Sequence, residues 1–266
     1  MKINYQETTS DLLTRIDIHQ KFGGRDIDQW MLDLLLVPKN SRILDVGCGA
    51  GKQCFVFYKA LNGAADITGG DVSAELLEKA RLENDRQGSR VKFIDLNFNQ
   101  RFPFDDNQFD LLSACFTIYY AEDISFTIRE MQRVLKPGGR LFTTGPMPEN
   151  KRLFYDIILE ATHKTIPPMP GSSRYGSLIL EAIQATFSGV AVHVFENPLT
   201  FTGIDPFLAY TRASLSEDRK LWTSLFEGKD DFERVMTQIA GVTAQRLERD
   251  GKLVMTKVVG GFVATK

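Results

Sequence analysis

The sequence predicts an α/β protein whose parallel sheet is covered by helices on both faces, and three observations carry that prediction. Short apolar runs alternate with segments of helical periodicity from Arg42 to about Pro146. Three glycines crowd into five residues directly behind the first of those runs, in "ILDVGCGAG". No internal repeat, low-complexity tract or Pro/Gly/Ser linker interrupts the 266 residues, so one continuous domain with insertions is expected.

Taken in order, the stretch from about Ser10 to Val37 alternates apolar and polar residues at helical spacing and breaks at "GGRD", which predicts two helices. "RILDV" reads as the first strand and Gln53 to about Leu61 as a helix. "ADITGGD" is a second strand closing on Asp71, and "SAELLEKARLEND" a helix with Ser73 as N-cap and Leu76, Leu77 and Ala80 on one face. "VKFIDL" and "FDLLSACF" are the third and fourth strands. "DISFTIREMQRVL" is a helix closed by "KPGG", and "RLFTTGP" the fifth strand. Further on, "KRLFYDIILEATHK" is helical, while "GVAVHVFENPLTF" and "LVMTKVVGGFVATK" are strands. The long segment between those two strands has helical periodicity and far exceeds a hairpin loop, so it is the candidate substrate lid.

Composition narrows the function. A net charge of −2 supplies no basic field for nucleic acid or an anionic membrane surface. The N-terminus has no apolar h-region, and "WMLDLLLV" is short and interrupted by Asp33, so a soluble, cytoplasmic protein is expected. Cys48, Cys54 and Cys115 form no CxxC pair and read as buried thiols. No Asp, Glu and His cluster has ligand spacing, so no metal is expected.

The glycine loop raises the question of its ligand. A P-loop needs a glycine where Val46 stands and a hydroxyl where Gln53 stands. A dinucleotide loop needs a third glycine where Lys52 stands. The spacing is GxGxG with Asp45 two residues ahead, which suits a zwitterionic tail: backbone N–H groups face a carboxylate and the acid favours an ammonium. Asp71, twenty residues after Gly51 at a strand end, can accept from both hydroxyls of a ribose.

With these residues in hand, "ILDVGCGAG", "ITGGDVSAELLEKAR", "FPFDDNQFDLLSACFTIYY" and "EMQRVLKPGGRLFTT" resemble the successive motifs of class I S-adenosylmethionine (SAM)-dependent methyltransferases, closest to the small-molecule group of ubiquinone and menaquinone biosynthesis. The resemblance spans residues 43–144. It implies a Rossmann-like fold with a mostly parallel seven-stranded sheet and an antiparallel last strand. It further implies an N-terminal helical cap (1–40), a SAM-binding core (41–146), sheet completion (147–202 and 252–266) and a helical lid insertion (203–251). Carried over, Asp45, Gly47, Cys48, Gly49 and Gly51 surround the methionine part of SAM; Asp71 meets the ribose and Val72 the adenine. Asp95 or Asn97 meets the adenine edge, with Leu96 or Phe98 as apolar wall, and Ala114 and Cys115 offer main chain to the amino group.

Methyl transfer from a sulfonium is an in-line displacement, so a dry, aligned cavity matters more than an acid–base cluster. The C-terminal aromatics Phe154, Tyr155, Phe195, Phe201, Phe207, Tyr210, Trp222 and Phe226 fit pocket walls or core. Tyr119 and Tyr120 follow the fourth strand at its carboxyl edge, where open α/β sheets bind ligands, and are candidate contacts; Glu149 shares that edge. The resemblance makes His19 a candidate base, with Tyr5 or Arg15 as lid contacts. The expected activity is methylation of an oxygen or nitrogen of a small, partly apolar or aromatic metabolite, with S-adenosylhomocysteine as the other product. The alternatives are a non-methylating SAM-binding protein or regulatory subunit, and a carbon- or macromolecule-directed methyltransferase.

Overall fold

The chain enters its sheet only after two helices. The computed structural model describes residues 9–35, 37–217, 222–228 and 231–266; Tyr5 lies outside them. Helices α1 (Thr9–Phe22) and α2 (Ile27–Leu34) flank the "GGRD" break. Asp26 caps α2 by accepting from the N–H groups of Asp28 and Gln29. The core then alternates: β1 (Arg42–Val46), α3 (Lys52–Ala60), β2 (Asp66–Asp71), α4 (Ala74–Gln87), β3 (Lys92–Asp95), β4 (Phe109–Cys115), α5 (Ile124–Val134) and β5 (Leu135–Pro146). The remainder comprises α6 (Arg152–Thr162), α7 (Pro170–Arg174), α8 (Leu180–Thr186), β6 (Ser188–Phe201), α9 (Ile204–Glu217), α10 (Asp231–Asp250) and β7 (Leu253–Thr265).

The strands form one sheet in the order β3-β2-β1-β4-β5-β7-β6. The pairs from β3 to β5 are parallel, and β7 runs antiparallel between β5 and β6. Chain direction across the sheet reverses between β1 and β4, so the loops at their carboxyl ends diverge and leave a crevice there. This is the expected Rossmann-like arrangement.

Two differences from the expectation have local causes. The fifth strand starts at Leu135, ahead of the "KPGG" turn, because the register with β4 jumps from Phe109↔Leu135 to Leu111↔Arg140 and bulges the turn outward. The bulge is fixed by the C-terminus: Gly138 N–H donates to Lys266 O and Lys266 N–H to Gly139 O (3.0 and 2.9 Å). The segment 170–186, which carries no strong periodic signal, folds as α7, a π-turn at Tyr175–Ile179 and α8. Tyr175 stacks on Phe262 at 4.4 Å and its hydroxyl shares a 2.9 Å hydrogen bond with Thr143. Gly145 and Gly260 make room for that ring; a Cβ on Gly145 would stand 2.4 Å from it.

Alternation in β1 sends Leu44 and Val46 to one sheet face, with Ile128 and Met131 of α5, and Ile43 to the other, with Phe57 of α3 and Met31 of α2. A third core lies beyond the sheet's carboxyl edge. Pairing of β5 with β7 stops at Pro146↔Val259, whereas β6 and β7 stay paired to Phe201↔Leu253, so this ribbon projects past the edge. Helices α1, α6, α9 and α10 pack on it through Ile18, Phe154, Phe207 and Ile239. Phe154, Phe201, Phe207, Tyr210 and Trp222 are at most 1% exposed there, so they are core residues and not pocket walls. Phe195 lies apart, against Trp30 at 5.1 Å.

Candidate active site

The crevice is built by the turn after β1. Gly47, Gly49 and Gly51 all have left-handed backbone, with φ of 69, 54 and 83°. Space closes two of these positions as well: a Cβ on Gly47 would meet Thr117 Oγ1 at 2.1 Å, and one on Gly51 would meet Phe93 at 2.9 Å. That double demand explains the GxGxG spacing. The N–H groups of Gly47 and Cys48 both donate to Gly70 O (2.7 and 3.1 Å), which docks the turn on β2. Lys52, in the place of a third glycine, ion-pairs with Asp28 of α2 at 2.9 Å.

Asp71, at the end of β2, receives Gly49 N–H on Oδ2 (2.8 Å) and Ser73 N–H on Oδ1 (2.9 Å). A carboxylate carries about four acceptor sites, so further donors can be accommodated. Val72 beside it is 59% exposed, a large apolar side chain left facing outward next to a polar anchor. Asp95 stands in register with Asp71 at the end of β3 and is exposed. Asn97 instead accepts Asn99 N–H at 2.9 Å and closes a turn. Leu96 is buried against Gly70 and Phe98 is half-buried at the same core. Ala114 is buried within β4, and Cys115 at its end has a thiol pushed well up by burial and by the nearby Asp45 charge. Phe116 follows with φ of 57° and donates its N–H to Thr144 O at 2.8 Å.

Expectations for several residues are corrected by these contacts. Asp45 does not open onto the crevice. It is 2% exposed, its oxygens accept from Ser113 Oγ (2.5 Å) and Cys54 Sγ (3.5 Å), and burial pushes its carboxyl up to about 6. It supports the turn from beneath. His19 is unsuited to act as a base: burial first, then Lys257, Lys151 and Arg15, hold its imidazole down to about 2. Tyr119 turns into the core, with its ring 4.7 Å from that of Tyr120 and packed over Gly171, while Arg174 donates to its backbone oxygen. Tyr120 packs against the same core. Cys48 also points inward, with its sulfur beneath Gly69.

Sequence reasoning passed over Gly69 and Gly70, although "GG" directly before Asp71 was a visible signal. A Cβ on Gly69 would stand 2.9 Å from the sulfurs of Cys48 and Cys54, and one on Gly70 would stand 2.7 Å from Leu96. Lys257 was also missed. It lies over the Phe116 ring at 5.4 Å, and no local pattern links residues so distant in the chain.

Comparison with known proteins agrees with this geometry. Residues 38–169 match a family described as a methyltransferase domain. By this match the segment 38–169 is a methyltransferase domain. Over 121 residues the methyltransferase core is 31% identical to the ubiquinone/menaquinone biosynthesis C-methyltransferase UbiE of Desulfotalea psychrophila, covering 46% of this chain and 48% of that protein. Methyltransferase GfsG of Streptomyces halstedii is 36% identical over 121 residues, 45% of this chain and 42% of that one. The chain thus spans about half the length of the curated relatives it matches. The YcgJ protein of Bacillus subtilis shares the fold at a TM-score of 0.58 and 16% identity, over 90% of this chain and 97% of that one. The left-handed glycine cradle with Asp71 at its rim fits the SAM that the sequence resemblance implies. Helices α1, α9 and α10 lie outside the matched segment. Among the described residues no helix is long and apolar enough to cross a membrane.

Proposed function

We propose that the protein transfers the methyl group of SAM to an oxygen or nitrogen of a small, partly apolar metabolite. The observation that carries this reading is the joint between Asp71 and the three left-handed glycines, which leaves main-chain N–H groups and a carboxylate at the crevice. When bound, SAM supplies an electrophilic methyl group on a sulfonium. The glycine turn admits the ligand's amino-acid tail close to the main chain, Asp71 accepts from the ribose, and Val72 and Asp95 flank the adenine. The main chain of Ala114 and Cys115 and the Phe116 ring border the reacting end, where exclusion of water and alignment govern the rate. The net charge of −2 favours a small acceptor over nucleic acid.

A carbon acceptor is the second reading, favoured by the C-methyltransferase name of one relative. The test is to incubate the protein and its Asp71→Asn variant with methyl-labelled SAM and fractionated metabolites. Label in a small molecule on oxygen or nitrogen, absent with the variant, supports the first reading. A new carbon–methyl bond supports the second, and SAM binding without transfer to any fraction overturns both.

A further inference from the structure

The turn that follows β4 borders the crevice and is pinned at both of its ends. At its start Phe116 has left-handed backbone and donates its N–H to Thr144 O of β5. Thr117 comes next and fills the space that a Cβ on Gly47 would need, with Oγ1, Cβ and Cγ2 all within 2.7 Å of that position. Its carbonyl accepts Tyr120 N–H at 2.9 Å and so opens a single 3₁₀ turn, Ile118–Tyr120. At the far end Arg174 donates from Nη1 to Tyr119 O (2.5 Å) and from Nη2 to Ala121 O (2.8 Å). A turn this short leaves its last carbonyls without partners of its own, and the guanidinium fork supplies them.

Arg174 comes from a distant part of the chain. It closes α7, beyond the matched segment 38–169. Tyr175 directly after it is clamped by Phe262 and Thr143, which anchors the base of the Arg174 side chain on the sheet. Gly171 of α7 lets the same segment lie against the Tyr119 ring, since a Cβ there would stand 3.1 Å from that ring. The guanidinium is half-buried and makes no ion pair to a described residue, and burial alone pulls its pKa below the ordinary arginine range. Desolvating a cation against neutral carbonyls costs free energy, but the fork fixes two carbonyls at once, which an apolar side chain cannot do. Arg174 also lines an open groove of about 690 Å³ between the start of α5 and α8, with Glu122, Asp123, Leu178, Glu181 and Ala182, so small solutes reach it from solvent.

We propose that Arg174 is a positioning residue of the cofactor site: by closing the far end of the turn after β4, it holds Thr117 against Gly47 and Phe116 beside the crevice, and so presets the glycine cradle for SAM. The inference rests on the methyltransferase reading and adds to it a residue from outside the matched segment. Without the fork the turn is held at the Thr144 end alone, and ligand binding must reorder the rest, which lowers affinity.

The test titrates S-adenosylhomocysteine by calorimetry into the full chain, Arg174→Ala and Arg174→Lys, with and without millimolar guanidinium chloride, and records urea unfolding of each. Arg174→Ala should bind about tenfold more weakly, and guanidinium should recover most of that loss while sodium chloride at equal ionic strength recovers none. Arg174→Lys keeps the charge but lacks the fork, so it should fold and yet bind more weakly than wild type, without rescue by guanidinium. Wild-type affinity in Arg174→Ala or, where that chain does not fold, in Arg174→Lys overturns the inference. A folded Arg174→Ala whose lost affinity guanidinium does not restore overturns it too, because a merely structural role predicts that result. Failure of the wild type to bind S-adenosylhomocysteine overturns the methyltransferase reading itself.

Discussion

The N–H of Gly49 donates to Asp71 Oδ2 at 2.8 Å, so the end of β2 and the middle of the glycine turn are one unit. Asp71 also holds the start of α4 through Ser73 N–H. Asp71→Asn leaves one oxygen to serve two donors and turns an NH2 group toward the other. SAM affinity should fall at least about tenfold in calorimetry, with about 1–3 kcal/mol of stability lost to the broken charge-assisted bond. Unchanged affinity would remove Asp71 from the cofactor site.

Gly47→Ala faces both a left-handed backbone and a Cβ 2.1 Å from Thr117 Oγ1. Gly88 has a similar φ of 65° but open space around its Cβ. Gly88→Ala should therefore cost about 1 kcal/mol in urea unfolding, the strain alone, whereas Gly47→Ala should cost clearly more and abolish SAM binding. Equal losses at the two positions would show that crowding at Thr117 is relieved without cost.

Asp45 carries a pH signature. Its carboxyl rises from 3.8 to about 6 in the folded protein, chiefly by burial. Between those values the native state binds more protons than the unfolded chain, so this group's stabilising contribution is full below about 3.8 and is lost as pH rises to about 6. Asp45→Asn, which still accepts from Ser113, should remove that decline and hold or raise stability at pH 7. A decline that persists in the variant between pH 4 and 6 would assign it to another group.

The helical layer on the ribbon should behave as part of the core. Phe207 is 1% exposed and packs on Phe201 at 5.6 Å, so Phe207→Ala should cost about 3–5 kcal/mol in urea unfolding. Hydrogen exchange in α9 and α10 should follow the global unfolding reaction. Exchange at the rate of a frayed segment, with little loss of stability in the variant, would mark a loose lid instead.

How much of this was legible in the sequence depended on whether the signal was local. The seven strands, the capped helix after Asp71 and the glycine turn were readable because each rests on periodicity or on residues within a few positions of one another. The bulge at "KPGG" was not, since its hydrogen-bond partner is Lys266 at the far end of the chain. Segment 170–186 was missed because Tyr175 is held by Phe262 and Thr143, not by its neighbours in sequence.

The sequence by itself determined the sheet, the cofactor turn and Asp71, for glycines forced to left-handed φ and a strand-end acid are properties of short stretches. Tertiary structure decided which way the side chains point. It turned Asp45 beneath the loop toward Ser113, made core of the C-terminal aromatics, and surrounded His19 with Lys151 and Lys257. Burial and charge depend on what other elements bring within a few ångströms, and here those elements are α1, β5 and β7, which only the folded sheet brings together.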